Sequence, residues 1–319
     1  MTTARTVPVT TEMDGDELDA EDAWYLIRRH GIRPVLVESF VRFRYGDGFT
    51  NSRALALQTC LAVVPFLLAA TGLAADLDDE RWARIVAATV NAIAPGGNDA
   101  LAQAVATGSE ESGEVALAFG LGFALVAMTT AMAQVERGTN RIYGIRRDRP
   151  ALHKYGRAAV FTGLLAAPVG LGFLLLVGGG AFGDAMVTEG VWSETGEDWW
   201  DWLRWPVGLA LLVFAIAVLL DHAPRRRQPS LSWLALGAAV AVLLSMAATG
   251  GLAAYVTISA SFSSTYGPLA GVFVLLLWSL MSAMGFFYGA AVCAQLEALR
   301  AHAPEPAYDD PGRPHEQVV

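Results

Sequence analysis

Residues 231–256 read LSWLALGAAVAVLLSMAATGGLAAYV, without one Asp, Glu, Lys or Arg. A helix crosses the hydrocarbon core of a bilayer with about 20 consecutive apolar residues, and this run is long enough. Five more charge-free runs accompany it: Ala54–Ala75, Val115–Ala133, Ala158–Gly180, Trp205–Leu220 and Pro268–Cys293. The fourth is short and is best started near Leu203. The reading is an all-α polytopic membrane protein, a bundle of about six transmembrane helices with interfacial helices beside it.

Composition agrees. The 319 residues are 54% hydrophobic and 17% charged, with a mean hydropathy of +0.41. Soluble proteins carry roughly 25% charge. The net charge of −9 matters less than where each sign falls. Arg28, Arg29, Arg33, Arg42, Arg44 and Arg53 precede the first run. Arg137, Arg141, Arg146, Arg147, Arg149, Lys154 and Arg157 lie between the second and third, and Arg225, Arg226 and Arg227 between the fourth and fifth. The alternate connections hold only Arg81, Arg84 and Arg204 but many acids: Asp76, Asp78, Asp79, Glu80, Asp99, Glu110, Glu111 and Glu114 in residues 76–114, and six more in residues 181–204. Positive loops stay inside, so the expected location is the cell (inner) membrane, multi-pass, with both termini cytoplasmic. The arginine-rich loops would face anionic inner-leaflet lipids. The expected partners are the bilayer and those lipids and no nucleic acid, and a homo-oligomer is left open.

Residues 1–20 form an acidic stretch without apolar periodicity and are expected to be a disordered tail, as are residues 301–319 with their four prolines. No basic stretch leads into an apolar segment at the start, so no cleavable signal peptide is expected. Residues 21–50 are an interfacial amphipathic segment, in which Trp24, Leu26, Ile27, Val35, Leu36, Phe40, Val41 and Phe43 mix with arginines. It lies on the inner surface or packs under the bundle. The membrane domain is residues 51–300. Residues 79–107 predict one or two outer helices broken at Pro95-Gly96-Gly97. Trp192, Trp199, Trp200, Trp202 and Trp205 suit an interfacial belt.

Candidate chemistry is sparse. No Asp, Glu, Lys, Arg or His falls within a run, which speaks against a proton-coupled pump or a voltage sensor. The five histidines are dispersed without metal-ligand spacing, and no phosphate-binding glycine loop is present. No catalytic, cofactor or metal residues are assigned, and the chain reads as a non-enzyme. Cys60 and Cys293 both fall in apolar runs, where cysteine behaves as a small hydrophobe. Polar uncharged residues remain. Gln58 and Thr59 precede Pro65, which frees a backbone carbonyl near residue 61. Ser245 and Thr249 lie in the fifth run, and Ser279 and Ser282 in the sixth. Between those two runs, residues 257–268 include Ser261, Ser263, Ser264, Thr265 and Tyr266 and no charge. These side chains either bond locally and between helices or line a polar cavity. Gln58 is expected to face other helices, with the fifth and sixth runs as its neighbours. Gly267 and Gly271, and Gly285 and Gly289, stand four apart and permit close helix packing.

Four stretches resemble the YihY/BrkB family of bacterial inner-membrane proteins, formerly labelled ribonuclease BN. They are Arg53-Ala-Leu-Ala-Leu-Gln-Thr-Cys-Leu-Ala-Val-Val-Pro65, Glu136-Arg-Gly-Thr-Asn-Arg-Ile-Tyr-Gly144, His222-Ala-Pro-Arg-Arg-Arg227 and Tyr266-Gly-Pro-Leu-Ala-Gly-Val-Phe-Val-Leu-Leu-Leu-Trp278. The resemblance covers about Phe40 to Leu299 and implies a six-helix membrane protein. Two departures stand out. Gln58 replaces an aromatic-rich pattern, and Gly289-Ala-Ala-Val-Cys293 lacks the acid of the family's Gly-Ala-Glu-Leu-Asn. The functional expectation is a transporter or lipid-handling protein of the cell envelope. The alternative is a membrane scaffold or envelope-integrity factor working through its basic face, with a membrane nuclease ranked last.

Overall fold

The computed structural model describes Val7 and residues 18–75, 80–93, 113–145, 147–258 and 270–302. Among these described residues every regular element is helical. The Asp19 carboxylate starts α1 (Ala20–His30), accepting from the Glu21 and Asp22 amides at 2.8 and 3.2 Å. It thereby satisfies donors that a helix start leaves open. Gly31, at φ 85°, bends the chain into α2 (Ile32–Tyr45), a conformation glycine adopts without strain. Then come α3 (Gly48–Ala75), α4 (Glu80–Ile93) and α5 (Gly113–Ile142). α6 (Ala151–Phe173) runs through a π-helical turn at Leu174–Gly178 into α7 (Gly179–Thr188). α8 (Glu194–His222), α9 (Leu231–Ile258) and α10 (Ala270–Arg300) complete the order.

The six charge-free runs fall on α3, α5, α6 with its π turn, α8, α9 and α10. Several helices outlast their apolar stretch, α5 to Ile142 and α10 to Arg300, so both bring charged residues to one end of the bundle. Among the described residues, four helices are long and apolar enough to cross a membrane: Ala151–Thr188, Glu194–His222, Leu231–Val256 and Gly271–Arg300. α3 and α5, with 28 and 30 residues, lie outside that set. A count of six depends on these two.

The long helices pack in a circuit: α3 against α5, α5 against α6, α6 against α8, α8 against α9, α9 against α10, and α10 back against α3. α5 also meets α10, because Gly138 leaves the space that the buried Phe287 ring fills. α9 and α10 touch backbone to backbone, since a Cβ on Gly289 would overlap the Gly237 carbonyl. Gly285 and Gly289 thus have the packing role read from their spacing. Gly267 lies outside the described residues.

Burial is uneven along the bundle. The apolar core gathers at the end where α9 starts and α10 finishes, with Trp233, Leu234, Phe287, Ala290 and Leu296 fully buried. Towards the other end of α9, Tyr255, Val256 and Ile258 are exposed. α1 and α2 lie under the packed end. α1 meets α9 and α10, and α2 meets α10. Ala23, Leu26, Val35 and Phe43 are buried there, while Trp24, Tyr25, Ile32, Val37 and Phe40 remain exposed. Residues 21–50 therefore pack under the bundle and also present an apolar outer face. Val7 and Leu18, within the expected N-terminal tail, are buried in the same core. α4 is one of the helices predicted over 79–107, and the Pro95 break lies outside the described residues.

Candidate functional site

The helix extensions and two loops assemble a polar network at the packed end. Glu297, on the last turn of α10, is fully buried. Its carboxylate accepts from Arg226 Nη2 at 2.6 Å and from the Tyr143 hydroxyl at 3.2 Å. The Arg226 guanidinium lies 4.8 Å over the Tyr143 ring, so it meets both a carboxylate and a π face. Burial, and then the Glu297 charge, hold the Tyr143 hydroxyl well above its usual pKa, which keeps it a donor. Two residues earlier on α10, Gln295 accepts from Arg42 Nε at 3.0 Å and donates to Glu38 at 2.8 Å. Arg42 is 1% exposed. Burial lowers its pKa to about 10, with Tyr143, Glu297 and Glu38 opposing the shift. It stays charged at neutral pH.

A second set of contacts ties the segment after α5 to the loop after α8. Glu136 is buried and pairs with Arg149 at 3.0 Å. Arg149 also donates to the Ala223 and Pro224 carbonyls, each at 2.9 Å. Asn140 accepts from the Arg225 amide at 2.7 Å and donates to Asp148 at 3.1 Å. Lys154 donates to Asp148 at 3.0 Å. Burial alone would raise the Asp148 pKa, but the hydrogen bonds from Asn140 and Lys154 outweigh it and leave it lowered. Buried charges persist only when paired and hydrogen-bonded, and the buried acids Glu136 and Glu297 each hold an arginine. The network joins Glu136–Gly144, His222–Arg227 and the end of α10.

Among the described residues, the polar side chains singled out in the sequence fall into separate contacts. Gln58 sits between α3 and α5, accepting from Thr130 at 2.6 Å. Just below, Gln134 donates to Asn51 at 2.9 Å. Gln58 thus faces a helix, but its bonded neighbour is α5. Thr59 bonds back to the Leu55 carbonyl. Pro65 lies buried inside α3. Ser279 is buried and meets Cys60 across α3 and α10 at 3.5 Å. Ser282 is half-buried on α10. Thr249 donates to the Ser245 carbonyl at 2.8 Å and accepts from Trp278 Nε1 at 2.9 Å. Ser261, Ser263, Ser264, Thr265 and Tyr266 lie outside the described residues.

One groove takes in a residue of that set. Thr249, Leu252, Ala253, Val256, Val274 and Trp278 line a space of about 380 Å³ between the outer halves of α9 and α10. Phe173 of α6 packs against Trp278 with ring centroids 5.7 Å apart, so Trp278 faces across the helix circuit. Its walls are apolar, and the Thr249–Trp278 pair is its polar mark. At the same end Arg84 grips Glu189 with two bonds of 2.7 Å, which holds the Glu189 carboxylate below its usual pKa. Trp192, Trp200 and Phe182 form an aromatic group, and Trp200 donates to the Gly179 carbonyl at 2.7 Å. Trp199, Trp202 and Trp205 are exposed, as an interfacial belt requires.

The sequence model of the family described as Virulence factor BrkB matches residues 39–312. The chain belongs to the BrkB family. It is a membrane protein with bacterial relatives. Among those, YfkH of Bacillus subtilis (strain 168), whose name describes it only as ribonuclease-like, is 26% identical over 82% of this chain and 94% of its own length. A UPF0761 membrane protein of Azoarcus sp. (strain BH72) is 27% identical over 79% of this chain and 62% of its own. One from Alteromonas mediterranea is 30% identical over 59% of this chain and 63% of its own. No solved structure matches the chain. Two of the network's segments, Glu136–Gly144 and His222–Arg227, are stretches on which the resemblance rested. The network itself escaped the sequence reading. Its available signal was the presence of Glu38, Glu136, Asp148 and Glu297 at the otherwise basic end.

Proposed function

We propose that this chain is a transporter or lipid-handling protein of the bacterial cell membrane, with six spans, α3, α5, α6, α8, α9 and α10, and both termini cytoplasmic. The observation that carries the reading is the contrast between the two ends of the bundle. The basic end is packed solid and closed by the Glu297–Arg226–Tyr143 contacts. The other end holds a groove with apolar walls and a Thr249–Trp278 polar pair. Small-molecule sites combine an apolar lining with a few placed polar groups, and this one suits an amphiphile. In this reading the ion pairs are the cytoplasmic closure. Passage would require them to part, which is costly while they stay buried.

The experiment is leaflet exchange of a headgroup-labelled fluorescent phospholipid in vesicles containing the purified full chain. Exchange above protein-free vesicles is expected. Thr249→Trp should block it by filling the groove, without changing the melting temperature. Wild-type vesicles that match protein-free ones, for this probe and for a soluble dye, would sink the reading. The scaffold alternative draws on one observation, the solid packing of the basic end, and would be favoured by that result. The nuclease reading draws on the name of YfkH. Glu136 and Glu297 each hold an arginine, which leaves neither carboxylate open for metal or water. No RNA cleavage by the purified chain is expected, and cleavage lost on mutating His153 or His222 would revive it.

A further inference from the structure

α6 carries an unusual outer face. Its buried residues Ala158, Thr162, Leu165 and Gly172 lie on the side turned to the bundle. The opposite side presents Gly156, Gly163 and Gly170, seven residues or nearly two turns apart. A Cβ added at any of the three would meet nothing within 4 Å. The three glycines therefore form a trough open to the surroundings. Its rims are exposed aliphatic residues: Leu152 at 90%, Val160 at 61%, Leu164 at 64% and Leu171 at 51%.

The trough ends in a basic mouth. Arg149, Leu152, His153, Gly156 and Arg157 line a depression at the start of α6. His153 and Arg157 are four apart on α6 and so share a face of the helix, and Arg149, just before the helix, joins them in lining the depression. Arg149 is already committed to Glu136 and to two carbonyls. Arg157 gives one nitrogen to the His222 carbonyl and stacks on Phe161 at 4.9 Å. Three acids stand nearby, and two of them, Glu136 and Asp221, also act on Arg157. Glu136 pairs with Arg149, and Asp148 with Lys154. Asp221 sits beside His222. With Arg137 and Arg225, which also reach Asp148, five cations stand against three acids here, so the mouth is net positive, at the level where the charged end of the protein meets the apolar stretch.

We propose that this face binds one anionic glycerophospholipid, the phosphate at His153 and Arg157 and an acyl chain along Gly156, Gly163 and Gly170. Charge selects the headgroup, and the missing side chains select the chain. The arrangement follows the layering of a leaflet, cations at headgroup depth and an apolar groove below. The inference rests on the membrane reading and is independent of transport, because no residue of this face lines the Thr249–Trp278 groove.

The test is native mass spectrometry of the detergent-purified full chain titrated with phosphatidylglycerol, phosphatidylcholine or inorganic phosphate. Phosphatidylglycerol should be retained about tenfold better than phosphatidylcholine, and inorganic phosphate should neither bind nor compete at millimolar concentration. His153→Gln combined with Arg157→Gln should reduce the headgroup preference to near unity. Gly163→Leu should weaken both lipids alike, and it is safe for folding because nothing faces that position. Equal retention of the two lipids by the wild type would overturn the proposal. So would a preference that survives the double change, or competition by inorganic phosphate, which would mean a bare anion site. Loss of leaflet exchange with lipid retention intact would count against the transport reading alone.

Discussion

Glu297 and Arg226 stand 71 positions apart in the chain and meet at 2.6 Å with almost no solvent access. Removing one partner from such a pair strands a buried charge, at a cost of about 3–5 kcal/mol. Arg226→Met should lower the melting temperature in detergent by that measure. Arg226→Met with Glu297→Gln should recover much of it, because no charge is left unpaired. If the double variant is no more stable than the single one, the pair is not what closes this end. Asp148 offers a pH test. Its folded pKa lies below the ordinary aspartate value of about 3.9. The stabilisation is therefore complete above that value and is lost as pH falls through the lower folded value. Acidification through this window should destabilise the wild type more than Asp148→Asn. Parallel acid limbs in thermal melts of the two proteins would contradict the assignment. None of these pairings was legible in the sequence. Glu297 reads there as the first acid beyond a span, and the separation of 71 residues carries no spacing signal. What was legible was the imbalance of charge, against which the few acids of the basic end stood out.

At the level of elements, the apolar runs located the helices because a bilayer forbids charge within a span. They misjudged the ends, because a helix does not stop where the hydrocarbon does. α5 continues past Ala133 and α10 past Cys293 on polar residues whose partners lie on other elements. The same logic explains Gln58. An amide in a span needs a helix partner, which is why it faces inward. Which helix supplies the partner depends on packing order, and Thr130 of α5 was invisible beside the serines of the later runs. The glycines separate two roles that spacing cannot. Gly289 meets the Gly237 backbone, whereas Gly163 meets open space. Gly289→Ala must push α9 from α10 and should cost about 1–3 kcal/mol. Gly163→Ala should be neutral or slightly stabilising, since alanine is the better helix former. Thermal melts of both variants in one detergent decide this, and equal losses would mean that the α9–α10 contact is looser than described.

The whole molecule has a polarity that charge and packing define independently. Arginine-rich connections, the start of α9 and the end of α10 share one end, and the apolar core gathers there too. Arg84, Glu189 and the tryptophan group mark the other. Positive loops remain on the side from which a chain is inserted, because moving them across opposes the membrane potential and the attraction of anionic lipids. The packed end should therefore be cytoplasmic. With an even number of spans, both termini should share it, whereas loss of either α3 or α5 from the set would place them on opposite sides. Reporter fusions before α1, at Gly97, after Ile142 and after Arg300 distinguish these cases. Inside, outside, inside and inside respectively is the expected result, and a fusion before α1 that reports the same side as Gly97 means that α3 does not cross. If the fusions at Gly97 and Ile142 report the same side, α5 does not cross. If those after Ile142 and Arg300 differ, the four later helices do not all cross. Either outcome would remove the six-span arrangement on which a cytoplasmic closure by Arg226 and Glu297 depends.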